Sequence, residues 1–470
     1  MTGPVPKTIV GLEGMVPESW WLTSTPAPPL RPALQGTVSA DVVLVGGGFT
    51  ALWTAYELLR RNPKLRLVVL ERDRVGSGAS GRNGGWCVPE LNIGPARLAE
   101  WFGSAAARRL RVAMKDTVGH IAAVLRDESI DADFERSGVL LVARGPGQLS
   151  PLEAMAAEFR DAGWGDDYQR LGSKECQQLV EISQVEGGLF SECGASVHPG
   201  KLVRGLALAV ERRGGVIYER STVDRIVSGP SPLVATSTGE VRAAVVVLGL
   251  EAYLSQLARF HRRVLPLYSL IVLTEPLSPP QLEEVGWRQR VLVSSMRLSV
   301  DYLNRTVDGR VLVGGRGAPY SFGSAIRASS EHHAATHAKL RQLFRAWFPS
   351  LSTVAFTHAW GGVLGMPRDW MPQVGYDSAE GLAWAYGYTG HGVATSNLAG
   401  RTLADLITGT SSDLTSLPLV GHRSPNWEVE PFRWLGVRFV QAGLGRVDAK
   451  VEATGIPPTG RTIAERIGAH

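Results

Sequence analysis

Short apolar runs and glycine-rich turns alternate near the start of the chain. Residues 41–45 form a strand-like run that leads into residues 46–51, Gly-Gly-Gly-Phe-Thr-Ala, and a second apolar run, residues 65–70, ends at Glu71. Apolar runs of this length, bounded by glycine, predict buried strands with a helix between them. The order of strand, glycine turn, helix, strand and acidic residue predicts a nucleotide-binding βαβ unit.

Each position of this unit has a physical role. Gly46 permits a tight turn out of the first strand, and Gly48 lets the main chain approach a pyrophosphate. Ala51 allows the helix to lie close to the sheet, and the amides at the start of the helix face the diphosphate. Glu71, with Arg72 beside it, follows Ala51 by about 20 residues, where a carboxylate accepts ribose hydroxyls and disfavours NADP. An ordinary strand-to-helix turn is the alternative, but it leaves Glu71 unexplained.

A second glycine-rich segment, residues 75–85, follows the second predicted strand. Its five glycines exclude a helix or a core strand, because each costs backbone entropy and adds no apolar surface. A flavin dinucleotide has a ribityl chain and a second phosphate at this distance from its adenosine, around which such a segment can wrap. The residues predicted to contact it are Ser80, Arg82, Asn83, Gly84 and Gly85. A flexible solvated loop is the alternative interpretation.

A third glycine motif lies near the end of the nucleotide-binding pattern. Residues 382–386 predict a short strand and residues 397–406 an amphipathic helix. Gly390, Gly392 and Val393 lie between them, where main-chain amides at a helix N-terminus can approach a ligand. A positive helix end would stabilise the negative charge of a reduced flavin ring. A simple turn between strand and helix is the alternative.

These motifs together resemble one family. The matching segments are Glu18–Trp21, Gly46–Ala51, Gly78–Gly85, Asp301–Arg310, Gly314–Gly315, Trp360–Gly362, Gly387–Val393 and Ala399–Arg401. The chain resembles the FAD-dependent oxidoreductases of the D-amino-acid oxidase superfamily, and is most similar to the bacterial gamma-glutamylputrescine oxidase branch. The resemblance implies FAD as the cofactor and main-chain contact between Val223 and the adenine. One departure is Leu248-Gly249-Leu250-Glu251, where the family usually has Ala-Thr-Gly or Ala-Cys-Gly beside the cofactor.

The predicted fold class is α/β. A Rossmann-like FAD-binding domain is expected from three discontinuous segments, residues 38–95, 193–262 and 357–420. An α+β substrate domain with a mostly antiparallel sheet is expected from residues 96–192 and 263–356. Residues 421–470 are expected to form a C-terminal extension that packs down, because they contain Trp427, Phe432, Trp434 and Leu435.

Composition excludes several classes of function. The 49 basic and 44 acidic residues give a net charge of +5, too dilute for a nucleic-acid interface. The three cysteines have no metal-site spacing and cannot all pair, which indicates a reducing compartment and no metal site. No run approaches the ~18 apolar residues of a membrane span. We also find no signal-peptide pattern, so we expect a cytoplasmic protein without a membrane span.

The presence of only one dinucleotide fingerprint bears on the source of electrons. Flavoproteins reduced by NAD(P)H commonly have a second nucleotide-binding segment, so the organic substrate is expected to be the reductant. The resemblance makes this substrate a small-molecule amine or amino acid. We expect hydride transfer from its α-carbon to flavin N5, giving an imine that hydrolyses to a carbonyl product. Oxygen or an electron-transfer partner then reoxidises the flavin, and the sequence does not choose between them.

The side chains that act on the substrate are harder to assign. His391 lies inside the third glycine motif and is a candidate proton acceptor or flavin partner. Tyr302 and Arg305 are candidates from the second domain, where an arginine can grip a carboxylate. Other arginines considered for this role are Arg297, Arg316 and Arg327. Cys87 follows the second glycine segment and is considered for covalent attachment to the flavin.

Two other classes of function stay open at this point. A flavin-bound protein without turnover, acting in assembly or partner binding, is compatible with the basic charge and the C-terminal extension. An NAD-dependent dehydrogenase is disfavoured by the second and third glycine motifs.

Overall fold

The computed structural model describes Leu12 and residues 14–468. The strands in this part of the chain are β1 (Gly36–Ser39), β2 (Val42–Val45), β3 (Leu67–Leu70), β4 (Trp86–Cys87), β5 (Val139–Arg144), β6 (Gln169–Gly172), β7 (Val185–Ser191), β8 (Ala195–Ser196), β9 (Val216–Tyr218), β10 (Val223–Val227), β11 (Leu233–Thr236), β12 (Gly239–Arg242), β13 (Val245–Leu248), β14 (Leu265–Thr274), β15 (Leu292–Ser295), β16 (Asp301–Arg305), β17 (Val311–Arg316), β18 (Phe356–Met366), β19 (Gln373–Asp377) and β20 (Leu382–Tyr386). The α-helices are α1 (Trp20–Thr23), α2 (Phe49–Arg61), α3 (Pro95–Phe102), α4 (Ser104–Asp127), α5 (Leu149–Asp161), α6 (Ser173–Leu179), α7 (Pro199–Arg212), α8 (Pro279–Glu284), α9 (Ala328–Glu331), α10 (Ala334–Trp347), α11 (Gly392–Thr408), α12 (Phe432–Thr454) and α13 (Ile463–Gly468).

A six-stranded sheet contains the first two predicted strands and has the order β19-β20-β13-β2-β3-β9. All neighbours pair parallel except β19, which is antiparallel to β20. Every residue of β2, β3 and β13 is buried, as expected for a parallel sheet covered on both faces. This sheet confirms the Rossmann-like half of the predicted fold class.

Two helices follow parallel strands of this sheet and begin at the same edge. Helix α2 follows β2, and α11 follows β20. Helix α11 begins at Gly392, whereas the apolar periodicity predicted a start at residue 397. The two helices pack closely, because a Cβ atom on Gly400 would lie 2.7 Å from the Cβ of Trp53. Their N-termini therefore face a common region at the carboxyl ends of the strands.

An eight-stranded sheet forms the second half of the fold, with the order β18-β14-β17-β16-β15-β5-β7-β6. Its pairs are antiparallel except β5 with β15, which confirms the predicted mostly antiparallel sheet. Helix α10 covers part of one face and contributes Phe344 and Trp347 to the core. Two smaller sheets, β1-β12-β11-β10 and β4-β8, complete the architecture.

Residues 95–125, in which apolar side chains recur at helical spacing, lie in two helices, α3 and α4. Gly103 separates them with a φ of +83°, a conformation that glycine adopts without steric cost. The apolar residues of both helices are buried, including Leu98, Leu110 and Ile121. These stripes therefore form core, as the sequence pattern predicts.

Segments toward both ends of the described chain are held by specific contacts. Arg31 anchors the proline-rich residues 26–32: its Nε and Nη2 donate to Glu211 at 2.6 and 2.7 Å, and its main-chain nitrogen donates to Glu219 at 3.0 Å. At the other end, α12 and α13 pack on each other. Among the described residues, no helix combines the length and apolar character needed to cross a bilayer.

Candidate active site

A cavity of about 310 Å³ opens at the carboxyl ends of β2, β3 and β13. The predicted cofactor-binding residues that line it are Gly46, Gly48, Glu71, Arg72, Ser80, Asn83, Val223, Gly390, Gly392 and Val393. The structure thus brings residues from four distant segments of the chain to one place. The other predicted residues, Ala51, Arg82, Gly84 and Gly85, lie outside this lining.

The turn between β2 and α2 is tightly packed against the end of β13. Gly46 has a φ of +106°, and a Cβ atom there would lie 2.8 Å from the carbonyl oxygen of Gly249. Ala51 faces the same glycine, since a Cβ on Gly249 would lie 2.9 Å from the Cβ of Ala51. The first main-chain bond of α2 runs from Leu52 N to Gly48 O. The amides of residues 49–51 therefore precede the first main-chain bond of the helix, and that of Phe49 donates to Ser80 Oγ.

Glu71 lies at the end of β3 with its carboxylate at the cavity. Its Oε2 accepts from the amide of Gly47 at 2.6 Å, and its Oε1 accepts from the amide of Asp73 at 2.9 Å. Burial raises the pKa of the Glu71 carboxyl. The neighbouring Arg72 places its guanidinium 4.9 Å from the ring centre of Tyr253. Glu71 therefore presents oxygen acceptors at a largely desolvated position, as a ribose-binding carboxylate must.

The second glycine segment divides between the cavity and the protein interior. Ser80 Oγ accepts from the amide of Phe49 at 2.8 Å, so the segment reaches the start of α2. Asn83 stabilises its own turn: its Oδ1 accepts from the amide of Gly85 at 2.9 Å. Arg82 points away from the cavity and forms an ion pair with Glu331.

Gly84 and Gly85 are needed for close packing behind the cavity. A Cβ atom on Gly84 would lie 2.5 Å from the ring of Tyr302, and one on Gly85 would lie 2.5 Å from the carbonyl oxygen of Val197. Gly85 also has a φ of +73°. Both glycines therefore allow the segment to contact the second sheet, where a larger residue would displace it.

The N-terminus of α11 forms another side of the cavity. The helix begins at Gly392 without a side-chain cap, and Val393 faces the cavity beside it. Gly390 has a φ of +114°, and the nearest atom to a Cβ there would be Arg316 Nη2, at 3.9 Å. Its exposed main chain and the free amides of the helix start are available to an electron-rich ligand.

Glu251, at the position where the sequence departs from the family pattern, has a defined role in this turn. Its Oε1 accepts from the amides of Gly387 and Tyr388 at 3.1 and 3.3 Å, and its Oε2 accepts from the amide of Gly365 at 2.6 Å. Burial raises the pKa of Glu251 to about 7. One carboxyl group thus ties the turn before α11 to strand β18. The sequence showed only that this position is unusual, not what it contacts.

A larger cavity of about 700 Å³ is lined by residues from several elements, including Asn92 and Arg316. Arg316, at the end of β17, lines it and donates through Nη2 to the carbonyl oxygen of Thr389 at 3.0 Å. Asn92 also lines it, and its Nδ2 donates to the same carbonyl at 2.7 Å. The carbonyl of Thr389 is therefore the meeting point of the second sheet, the loop after β4 and the turn before α11.

His391 joins the same cluster. Its Nε2 lies 3.2 Å from Oδ1 of Asn92, and burial, together with the positive charge of Arg316, lowers the pKa of His391 to about 4. The imidazole is therefore neutral at physiological pH. Burial also lowers the pKa of Arg316 to about 10, so this guanidinium stays charged there. Sequence reasoning named Arg316 among several arginines, but missed Asn92.

Tyr302 and Arg305 lie on opposite faces of β16. The Tyr302 ring packs between Gly84 and Gly314, and its hydroxyl is 2.8 Å from Ser269 Oγ. Burial raises the pKa of Tyr302 to about 12. Arg305 instead donates to the carbonyl oxygen of Arg288 at 2.8 Å. The structure therefore does not bring Arg305 to either cavity.

The remaining candidates lie outside both cavities. Arg297 forms an ion pair with Glu452, and the amide of Arg327 donates to the Tyr268 hydroxyl at 2.8 Å. Cys87 is buried, which raises the pKa of its thiol to about 12. Its low thiolate content at neutral pH disfavours nucleophilic attack on a flavin. In the part of the chain that the structure describes, no group of three or more His, Cys, Asp or Glu side chains is placed to hold a metal ion.

The residues of the smaller cavity fit an adenine dinucleotide with a flavin. Helices α2 and α11 both begin at it, and neither N-cap residue, Gly48 or His391, caps its helix with a side chain, which suits one diphosphate and one ring that gains negative charge on reduction. Glu71 supplies the acceptor for ribose hydroxyls at the end of β3. A single helix N-terminus would suffice for a nicotinamide nucleotide, and the second is the feature that favours FAD.

Comparison with known families agrees with this chemistry. The family model described as "FAD dependent oxidoreductase" matches residues 41–406. The chain belongs to this family. The match spans most of the chain and contains both cavities' central residues, so the predicted superfamily, the FAD cofactor and the oxidoreductase activity are confirmed.

Two relatives align with this chain over most of their own length. The gamma-glutamylputrescine oxidoreductase of Escherichia coli (strain K12) is 30% identical over 391 residues, which are 83% of this chain and 88% of that protein. The glycine oxidase of Geobacillus kaustophilus (strain HTA426) is 23% identical over 397 residues, which are 81% of this chain and 97% of that protein.

Solved structures share the fold at lower identity. The crystal structure of glycine oxidase from Geobacillus kaustophilus matches with a TM-score of 0.67 and 22% identity, covering 82% of this chain and 99% of that one. The L-proline dehydrogenase of P. horikoshii matches with a TM-score of 0.65 and 19% identity, covering 82% of this chain and 96% of that one. The mixed α/β architecture with its separate antiparallel sheet is therefore that of this family.

Proposed function

We propose that this enzyme oxidises the bond between the α-carbon and nitrogen of an amine or amino acid. The observation on which this rests is the cluster of Arg316, Thr389, Asn92 and His391, which connects the large cavity to the turn before α11. Arg316 and Asn92 line this cavity, which is large enough for an organic substrate, and the neutral imidazole of His391 lies against Asn92. The names of the relatives, which include a gamma-glutamylputrescine oxidoreductase and a glycine oxidase, support the same substrate class.

The smaller cavity is proposed to receive FAD along its length. Glu71 would accept the ribose hydroxyls, the amides at the start of α2 would receive the diphosphate, and the main chain of Val223 would lie by the adenine. The start of α11, with Gly390 and Gly392, would face the edge of the flavin where charge develops. The bound FAD supplies the acceptor, at N5, for the hydride that leaves the α-carbon of the substrate.

Arg316 is the residue that we assign to substrate orientation. Its guanidinium donates to the Thr389 carbonyl and lies 4.8 Å from the ring centre of Trp370, and it forms no ion pair with a carboxylate among the described residues. A carboxylate or other anionic group of the substrate can therefore accept from the remaining guanidinium donors. Anchoring this group fixes the α-carbon relative to the turn at residues 389–391. Such positioning lowers the entropic cost of reaching the transition state.

His391 is assigned to the proton balance of the amine. Only a neutral amine has the nitrogen lone pair that drives hydride departure, and a cationic histidine has no free lone pair with which to accept a proton from the ammonium form. Because its pKa is lowered to about 4, His391 remains a neutral acceptor across the physiological range. Tyr302, protonated because its pKa is raised to about 12, is proposed to support the glycine segment from the second sheet.

The products follow from the balance of the reaction. Loss of a hydride and a proton converts the amine to an imine, and water then gives a carbonyl compound and ammonia or a smaller amine. The two electrons then pass to molecular oxygen or to an electron-transfer partner.

The proposal is tested by product analysis with a substrate deuterated at its α-carbon. Anaerobic mixing with an amine that reduces the enzyme should yield one carbonyl product per flavin, trapped as its hydrazone. Deuterium at the α-carbon should slow flavin reduction by a primary isotope effect. Reduction without a carbonyl product, or with no isotope effect on a reduction step shown to be chemical, would argue against hydride transfer from this carbon.

A further inference from the structure

The outer wall of the large cavity is built by the C-terminal extension. Helix α12 lies beyond the family match, which ends at residue 406. One side of this helix nevertheless lines the cavity, through Arg433, Gly436, Val437, Val440, Gln441 and Leu444. The shared part of the fold thus leaves the cavity bounded on this side by a segment that the family model does not include.

Hydrogen bonds fix α12 along its whole length. At its start, Glu430 accepts from the Tyr320 hydroxyl at 2.8 Å and from the amide of Gly323 at 2.9 Å. In its middle, Gln441 Nε2 donates to the carbonyl oxygen of Ala318 at 3.3 Å. Just before the helix, Trp427 Nε1 donates to the carbonyl oxygen of Met366 at 2.7 Å. The wall is therefore attached to the segment after β17 and to the end of β18.

The last anchor also shapes a cavity loop. The two carboxylate oxygens of Asp448 accept from the consecutive amides of Leu298 and Ser299, each at 2.9 Å. Leu298, Ser299 and Val300 line the cavity. Asp448 itself is 4% exposed, so this contact is shielded from water. The extension therefore lines the cavity directly with α12, and Asp448 also fixes the loop of Leu298 and Ser299 that lines it.

The interior of this cavity is largely apolar away from Arg316. Its walls include Leu98, Met155, Phe159, Trp164, Val440 and Leu444. A polar ligand would lose hydrogen bonds to water here without replacing them, whereas an apolar body gains free energy on burial.

The other charged groups on the lining have partners within the described part of the protein. Arg368 pairs with Glu428 at 3.2 Å, and Arg111 pairs with Asp167 at 2.9 Å. Glu90 accepts from the Tyr168 hydroxyl at 3.4 Å, and burial raises the pKa of its carboxyl. Arg316 is thus the cation on this lining that is available to a ligand anion.

We propose that the C-terminal extension makes the enzyme selective for amines that combine an anionic head group with a long aliphatic or aromatic body. The head group binds Arg316 beside the turn at residues 389–391, and the body lies along the inner side of α12. This inference rests on the proposed function for the role of Arg316. It adds the substrate class and the element that selects it.

Two glycines of α12 provide a matched pair of variants. Gly436 lines the cavity, whereas Gly445 does not, and a Cβ atom at either would have no other atom within 4 Å. The backbone therefore accepts a side chain at either position, so Gly436→Phe should place a ring at the cavity wall and Gly445→Phe should place the same ring on the surface. Both changes remove a glycine from a helix, which favours folding to a similar extent.

Calorimetric titration of the holoenzyme with butanoate, hexanoate and octanoate reports binding without turnover. For the wild-type enzyme we expect affinity to rise by about fourfold per methylene group, the gain typical of burying a CH₂. Gly436→Phe should weaken octanoate binding by about tenfold or more, as an overfilled apolar site does, and should change butanoate binding much less. Gly445→Phe should match the wild type throughout.

A flat dependence on chain length, or equal effects of the two phenylalanine variants, would overturn the selectivity proposal, as would failure of all three carboxylates to bind. The proposed function is judged separately, by flavin reduction with amines. An enzyme that oxidises small amines but shows no gain with chain length would retain the function and refute this inference.

Discussion

The guanidinium of Arg316 donates a hydrogen bond to the main-chain carbonyl of Thr389, 3.0 Å away, across the boundary between the two sheets. The contact places a fixed positive charge from the antiparallel sheet at the turn that starts α11. Its burial means that an anion entering the large cavity meets this charge with little screening by water. The relationship joins the proposed substrate cavity to the proposed flavin cavity.

Replacement of Arg316 should impair substrate binding more than cofactor binding. In Arg316→Gln we expect KM for amines bearing a carboxylate to rise by roughly 100-fold, the loss expected when a buried charge-assisted pair is removed. The FAD content, measured by absorbance, should stay near that of the wild type. Steady-state kinetics with one carboxylate-bearing amine checks the prediction.

Arg305→Gln is the control for this experiment. Arg305 lies on the opposite face of β16 from Tyr302 and donates to the Arg288 carbonyl, so its replacement should leave KM within about twofold, as is usual away from a binding site. An equal rise of KM in both variants would show that the effect is general rather than due to the cavity charge.

The pH dependence of catalysis should contain no step from His391 above pH 5. Its pKa is lowered to about 4 by burial and by Arg316, so the neutral form prevails from there upward. In His391→Asn we expect a lower kcat, while the acid limb of the kcat/KM profile above pH 5 keeps its position. Loss of a limb near pH 6.5 in this variant would mean that His391 titrates as an ordinary histidine.

Removal of the Glu71 carboxylate should weaken FAD binding. Glu71→Ala eliminates the acceptor at the end of β3 that also fixes the amide of Gly47. We expect a roughly 10- to 100-fold higher Kd for FAD, because a buried donor loses its partner together with the ribose contact. Titration of the apoprotein by flavin fluorescence measures this. Asp73→Asn, an exposed change two residues away, should leave the Kd unaltered.

Glu251 should make the folded enzyme lose stability as the pH rises toward 7. Its pKa is raised from 4.5 to about 7, so the folded state binds more protons than the unfolded state between these values. The contribution of this group is therefore present below pH 4.5 and is lost as the pH rises through about 7. Thermal unfolding at several pH values in this window measures the slope.

In Glu251→Gln this contribution to the slope should disappear. The variant should also be less stable by about 1–3 kcal/mol at pH 5, because an amide has one oxygen and cannot accept from both sides of the turn. The free energy of unfolding relative to wild type gives both quantities. An unchanged pH slope would show that Glu251 is ionised throughout and that its three amide donors outweigh its burial.

Local sequence order was sufficient to predict the nucleotide-binding sheet. Glycine and acidic residues around β2, α2 and β3 determine their own turn, since the relevant contacts span about 25 residues, such as Gly47 with Glu71.

The alternation of side chains along a strand could also have corrected one of the predicted site residues. Tyr302 and Arg305 are three residues apart, so side chains there must face opposite sides of β16. Arg305 could have been excluded as a partner of Tyr302 from this spacing alone.

The cluster around Thr389 could not be predicted in the same way. Asn92 and Thr389 are 297 positions apart, and their contact depends on how the loop after β4 lies against the turn before α11. Glu251 likewise binds amides at positions 365, 387 and 388, which only the folded chain brings together. Its sequence signal was a departure from a family pattern, and the departure identified the position but not the contacts.

Whether an amine reduces the flavin of this enzyme is decided by adding amines anaerobically to the purified protein while recording its visible spectrum. We expect an absorbance band near 450 nm, as is typical of a flavin, that bleaches on addition of an amine with an anionic head group and an apolar body. A yellow enzyme that no polyamine, N-methyl amine, amino acid or aminophosphonate bleaches would contradict it.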